Sequence, residues 1–442
     1  MRKIQFIFLI LISLVLFACD NVNPNYEADS DNPDFLHESM QELTNVIVHD
    51  IFSPPVASRN YVYPCVAAYE VARHINPAYK TMAGQLNGLQ KTPSPEAEKK
   101  YNFPLAATTA FMKTAKSFIF SEQKIDDFYA TQLAKFDAIK MPKDVYQRSI
   151  QYGELMAQHI LAWSNKDNYK ESRSFPKFTI TDDPKRWKPT PPAYMESIEP
   201  HWKDIRPMVL DSAQQFRPAF PTEFDLSKES AFYKEIMEVY QTVKEAKEEE
   251  KEIASFWDCN PYVMNVTGHV MHASKKITPG GHWMGIAKIA SNKNNDDFLK
   301  SSATYLMTSI ALFDGFISCW DEKYRSNLIR PETVINEHID PNWVPLLQTP
   351  PFPEYTSGHS VISTAAAVAL TKIYGNDFSF KDDTEELYGL PTRSFDSFFA
   401  ASSEAAISRL YGGIHYRPAI DNGVTQGKKL GEFVVTKVVT GF

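Results

Sequence analysis

The sequence predicts an all-α protein. Apolar residues recur at helical spacing along much of the chain, alternating strand patterns are scarce, and proline crowds into one central stretch. With 442 residues, 43% of them hydrophobic and 13% aromatic, the chain has a globular composition and enough length for a large core. Lys+Arg number 46 against 54 Asp+Glu, a formal net charge of −8. No broad basic field is available, so nucleic acid is not an expected partner and any anion site must be a local cluster.

Taken in order, the chain begins with Arg2 and Lys3 before an apolar run from Ile4 to Ala18, too short for a confident span and laid out like a secretory signal. It ends Leu16-Phe17-Ala18-Cys19, which resembles the lipobox of bacterial lipoproteins. That reading predicts a signal peptide over 1–18, a lipidated Cys19, and an exported protein anchored to a membrane and facing the periplasm or cell surface. Residues 19–34, rich in Asp, Asn and Pro, are expected to form a solvated tether. Cys65, Cys259 and Cys319 then remain, with no disulfide framework and no paired-cysteine zinc spacing.

Leu36, Met40, Leu43, Ile47 and Ile51 share one helical face. Ser58 is a candidate cap for a helix through Tyr61 to His74, and further helices are expected over Leu105–Phe120, Ile125–Ile139 and Val145–Trp163. From Asn168 to Asp225 prolines alternate with Trp187, Tyr194, Trp202 and Phe216. Proline excludes continuous helix, but so many aromatics suit an ordered irregular segment walling a cleft. A long charged helix is expected over Lys228–Trp257, a turn at Ile277–Trp283, and a helix from Asp296 past Trp320 toward Leu328. Helices over Ser360–Tyr374, Ser394–Tyr411 and from Pro418 onward complete the pattern. The expected organisation is an N-terminal helical region with the proline-rich segment (35–225) and a C-terminal helical catalytic region (226–442), integrated as one domain over 35–442.

Three stretches of the last third carry the chemistry. Lys323 and Arg330 lie seven positions apart, which predicts two cations on one face of a helix that Pro331 ends. Ser357-Gly358-His359 sits where a loop turns into a helix, whose first N–H groups lack intrahelical partners and favour an anion. Ser408-Arg409 is followed by Gly412-Gly413, able to break the helix so that Arg409 and His415 converge, with Asp421 beyond. His269 and His272 could share a helical face, but with no third ligand nearby they make a poor zinc pair.

These three stretches together resemble the signature of the type 2 phosphatidic acid phosphatase and vanadium-dependent haloperoxidase superfamily, with Thr356 standing where the motif has proline. Phe256-Trp257, Thr278 to Trp283, Asp314, Cys319 to Tyr324 and Thr349 to Tyr355 look like the bacterial haloperoxidase branch. The resemblance implies a helical bundle of the acid phosphatase/haloperoxidase type. It implies oxyanion binding by Lys323, Arg330, Ser357, Gly358 and Arg409, with Trp320, Phe352 and His282 lining the pocket. His359 would be the acid–base group, His415 the covalent one and Asp421 an orienting carboxylate. Asp314 is a candidate partner for a cation, since a buried charge needs one.

Two reactions share that set. In a haloperoxidase, His415 ligates vanadate, and peroxide and halide are the small-molecule substrates. In a phosphatase, His415 attacks a phosphate ester to give a phosphohistidine, with no cofactor. The haloperoxidase reading is placed first, the phosphatase is the alternative, and a non-catalytic anchored binding protein is a third.

Overall fold

Ser53 precedes Pro54-Pro55, and its Oγ accepts a hydrogen bond from Val56 N, so the second long helix starts there. Ser58, the candidate cap, lies one turn inside it and is buried. The computed structural model describes residues 22–441 apart from 262, 268, 269 and 274, and the backbone alone of 264–267 and 270–273. The candidate signal, Cys19 and His269 therefore lie outside the described residues. His272 lies on a strand, not a helix.

The N-terminal elements are α1 (Tyr26–Ser30), α2 (Asp34–His49), α3 (Pro54–Ala72), α4 (Phe103–Lys116), α5 (Glu122–Ala138) and α6 (Lys143–Ser164). The stretch expected as a tether instead carries α1. Its Tyr26 and Ser30 are buried, and Ser30 Oγ accepts a 2.5 Å hydrogen bond from the Asn102 amide. Every residue of α3 is buried, including Arg59 and Glu70. Buried charges need partners. Arg59 pairs with Asp167 at 2.7 Å, and Glu70 accepts hydrogen bonds from the Thr81 and Thr92 hydroxyls and Met82 N.

After a short helix α7 (Tyr169–Ser172), the proline-rich segment is irregular and ordered as expected. The carbonyl of Ile198 accepts from Trp320 Nε1 and the Tyr324 hydroxyl, and Ala219 O accepts from the Tyr355 hydroxyl. Asp314 is no partner of a cation. Its carboxylate accepts from the backbone N–H groups of Met208, Val209 and Leu210, and burial raises it to about 6.

The expected charged helix breaks into α8 (Ala231–Lys244) and α9 (Glu248–Phe256), and β1 (Met264–Thr267) pairs antiparallel with β2 (Val270–Ala273). Thr278-Pro-Gly-Gly-His-Trp is not a free turn. Thr278 caps α10 (Pro279–Lys293), and the glycines form its first turn. The remaining elements are α11 (Phe298–Ser326), α12 (Pro331–His338), α13 (Gly358–Tyr374), the antiparallel ribbon β3 (Phe380–Asp382) and β4 (Arg393–Phe395), α14 (Phe398–Tyr411) and α15 (Arg417–Lys437).

Apart from Lys300, helix α11 is buried from Phe298 to Lys323 and lies between α3 and α13, so one apolar core runs from Tyr26 to Val438. Burying each large aliphatic or aromatic side chain there contributes roughly 1.5–3 kcal/mol. Helix α15 meets α13 through Gly423, Gly427 and Gly431. A Cβ at Gly427 would lie 2.2 Å from Val361 O, and one at Gly423 would lie 2.8 Å from Ser360 Cβ. The two backbones are therefore in contact beside the Ser357 turn. No helix among the described residues is long and apolar enough to cross a membrane.

Candidate active site

Lys323 and Arg330 do not share a helix. Helix α11 stops at Ser326 with Asn327 left-handed, and Arg330 is the N-cap residue of α12, so Pro331 starts a helix instead of ending one. Both cations are nonetheless fully buried and turn toward the same loop, 352–356. Lys323 Nζ donates to the carbonyls of Pro353, Glu354 and Thr356 at 3.0, 3.0 and 2.6 Å. Its three donors are thereby used in holding the loop rather than directed at an anion. Burial lowers its pKa to about 7. Arg330 donates from Nε to Phe352 O and from Nη1 to Ile414 O and, at 3.1 Å, to His415 Nε2.

Gly413 takes a φ of 77°, ending α14 so that Arg409 remains on the helix while His415 turns inward behind it. Arg409 is buried and donates to Ser408 Oγ at 2.9 Å and to the Trp257 carbonyl at 2.7 Å. Burial lowers its pKa. His415 shares a 2.8 Å hydrogen bond between Nδ1 and Glu354 Oε1, which also accepts from Tyr416 N at 3.0 Å.

This network fixes a tautomer. Burial, reinforced by Arg330, holds His415 well below the usual imidazole range, so the ring is neutral and carries one N–H. Arg330 can only donate, so His415 Nε2 must accept and the proton sits on Nδ1, directed at Glu354. The structure thus presents a histidine with its Nε2 electron pair free of a proton. Asp421, the expected orienting carboxylate, lies exposed on α15, and the Nδ1 partner is Glu354. Glu354 was missed because it precedes the Ser-Gly-His turn inside an apolar, proline-rich run. A carboxylate in such a run is itself the available signal, since an ionisable group bordered by buried residues needs a partner.

Ser357 is the N-cap of α13, its Oγ accepting from Ser360 N at 3.3 Å and its own N–H donating to Ala419 O. Gly358 is the first helical residue, and His359 follows with part of its surface exposed. Burial, then Arg409, depresses the His359 pKa well below the ordinary value. A narrow cavity of about 30 Å³ is lined by residues that include Trp320, Phe352, Gly358, His359, Arg409 and His415, together with Pro54, Asp258, Cys259 and Asn260. The Trp320 and Phe352 rings lie 5.0 Å apart, and Phe352 is 5.0 Å from both Lys323 Nζ and Arg330 Cζ. His282, expected as a lining residue, is fully buried and stacks on Trp257 behind that wall.

Among the described residues, Arg330 Nη2 and His359 Nε2 are buried without hydrogen-bond partners. Such orphans are costly unless a ligand completes them. A guanidinium donor, an unpaired imidazole nitrogen and the proton-free Nε2 of His415, which among the described residues only Arg330 Nη1 contacts, fit an oxyanion that offers both oxygens and a Lewis-acidic centre.

A family model described as the VCPO second helical-bundle domain matches residues 303–441. A solved protein described as the first bacterial vanadium-dependent iodoperoxidase is 55% identical, covers 93% of this chain and 97% of its own, and superposes with a TM-score of 0.88. The chain belongs to the vanadium-dependent haloperoxidases. Holo- and apo-type structures of a bacterial vanadium-dependent chloroperoxidase, at 15% and 16% identity and a TM-score of 0.66, share the fold. The vanadium chloroperoxidase of Curvularia inaequalis is 29% identical over 29% of this chain and 29% of its own length. In this haloperoxidase, then, Trp320, Phe352, Gly358, His359, Arg409, His415 and the α9–β1 turn line one pocket, while Lys323 and Arg330 hold loop 352–356 from behind.

Proposed function

We propose that this haloperoxidase oxidises halide with hydrogen peroxide, iodide most readily, on vanadate held at His415 Nε2. The observation that carries the reading is the Glu354–His415–Arg330 relay, which leaves a deprotonated, fixed nitrogen facing a small cationic pocket. The iodoperoxidase described above, at 55% identity across nearly the whole chain, supports iodide as the preferred halide.

Bound vanadate supplies the Lewis acidity that activates peroxide toward halide. The protein supplies the rest. Arg330 Nη2, Arg409 and the N-terminus of α13 balance anionic oxygens, and the Ser357 hydroxyl proton is free to donate because its oxygen, not its hydrogen, caps the helix. Lys323 holds the loop carrying Glu354. His359, kept neutral by burial and Arg409, takes the proton of incoming peroxide at Nε2. Glu354 keeps His415 in the tautomer that ligates. The narrow cavity suits an inorganic anion better than the body of a phosphate ester, which favours this reaction over hydrolysis.

The test is a paired assay on purified protein: iodide, bromide and chloride oxidation with peroxide, with and without vanadate, and p-nitrophenyl phosphate hydrolysis without it. Vanadate-dependent iodide oxidation is the expected result. Ester hydrolysis with no halide oxidation would overturn the proposal. We also propose export and lipid anchoring through Cys19, supported by the run Ile4–Ala18 and the Leu-Phe-Ala-Cys sequence. Cys19→Ser should move the protein out of the membrane fraction, and a variant that stays there would refute the anchor.

A further inference from the structure

Behind the cavity wall lies a second cluster that the halide chemistry does not use. Cys259 Sγ is 3.5 Å from His282 Nδ1 and 3.8 Å from Glu385 Oε1, and His282 Nδ1 is 3.1 Å from the same carboxylate oxygen. All three residues are buried, and their ligand atoms lie within 4.8 Å of one another. We propose that Cys259, His282 and Glu385 bind a tetrahedral divalent ion of the zinc class.

Three features of the geometry support it. With metal distances of about 2.3 Å to sulfur and about 2.0 Å to nitrogen and oxygen, a tetrahedral centre separates S and N by about 3.5 Å, N and O by about 3.3 Å, and S and O by about 3.5 Å. The observed edges of 3.5, 3.1 and 3.8 Å form nearly that triangle. Next, His282 Nε2 lies 2.7 Å from Asp382 Oδ2, and Asp382 Oδ1 in turn accepts from Thr384 N and Oγ1. A carboxylate on the far nitrogen is the usual device that leaves the near one bare for a metal. Finally, the His282 ring is clamped against Trp257, with centroids 4.5 Å apart at 15°. The ligand set of one thiolate, one imidazole and one carboxylate suits zinc, and three protein ligands leave a fourth position for water.

The ligands come from the turn after α9, from α10 and from the loop following β3. An ion there would tie these three to one another. Because Cys259 also lines the oxyanion cavity, the same ion would fix one wall of that cavity while being chemically separate from the vanadate position at His415. The competing arrangement is an imidazolium bridging two carboxylates with no metal.

The experiment uses vanadate-free full-length protein and needs no activity assay. Elemental analysis of protein grown with zinc should give about one zinc per chain. After chelation, titration with cobalt(II) should develop thiolate-to-cobalt charge-transfer absorption and the intense visible bands of a tetrahedral ion. Cys259→Ser should remove the charge-transfer band, and Asp382→Asn, which keeps all three ligands, should weaken cobalt binding 10- to 100-fold. Absence of both stoichiometric zinc and the thiolate band in folded wild-type protein would overturn the site. So would cobalt spectra unchanged by Cys259→Ser. Should that variant not fold, the wild-type titration and Asp382→Asn still decide.

Discussion

Replacing Glu354 by Gln separates its charge from its shape. In the wild type Oε1 takes hydrogen bonds from His415 Nδ1 and Tyr416 N, and Oε2 is buried with no partner. A glutamine must keep its oxygen on the two donors, because turning the amide would set N–H against N–H. The tautomer of His415 therefore survives, and only the negative charge behind it is lost. Removing an outer partner of this kind costs 10- to 100-fold in ligand affinity, or about 1.4–2.7 kcal/mol. The glutamine NH₂ would lie where Oε2 has no acceptor, so folding stability should also fall by about 1–3 kcal/mol. Burial pushes the Glu354 carboxyl up to about 8. Glutamine mimics its protonated form, so the affinity gap between wild type and variant should widen as pH rises through that value. Vanadate affinity is read from activity regained on titrating the apo-protein, at pH 6 and pH 9, beside Asp421→Asn as control. Wild-type affinity in Glu354→Gln at pH 9, or an equal loss in Asp421→Asn, would refute the assignment of Glu354.

His415→Ala should lose vanadate retention and halide oxidation together, and vanadium content after desalting checks it. His359→Ala should lower kcat by 10²–10⁴-fold while the protein still retains vanadate; lost retention with normal kcat would contradict its role. Because burial lowers Lys323 from 10.5 to about 7, the unfolded chain binds the extra proton between those values, and the apo-protein gains stability as pH rises across them. Relative to Lys323→Met, that gain should reach at most about 1.4 kcal/mol per pH unit in denaturant titrations; a pH-independent difference would count against the shift. Gly427→Ala should destabilise by about 1–3 kcal/mol, measured the same way.

Much of this site is legible in the sequence because its parts are local. The Ser-Gly-His turn, the Gly-Gly break before His415 and the helical periods all depend on near neighbours. What escapes is set by distant ones. Asp314 looks like a cation's partner until three amides of the proline-rich segment arrive at it. Lys323 and Arg330 look like one helical stripe because proline permits either an end or a beginning, and a left-handed Asn327 decides for the beginning. Asp421 follows His415 closely in the chain, but Glu354 is brought to its ring by the loop that Lys323 gathers.

The glycine seam between α13 and α15 has a consequence for how the enzyme can vary. His359 rides on the first turn of one helix, and His415 lies just before the start of the other. Where main chains touch directly, the gap between helices is set by the peptide units themselves and not by which side chains fill it. Changes elsewhere along these helices would alter stability and solubility while leaving the two imidazoles in register. A methyl group at the seam would act as a wedge between the helix whose first turn carries His359 and the helix that follows His415. The seam, though outside the cavity lining, is where the spacing of these two helices is decided.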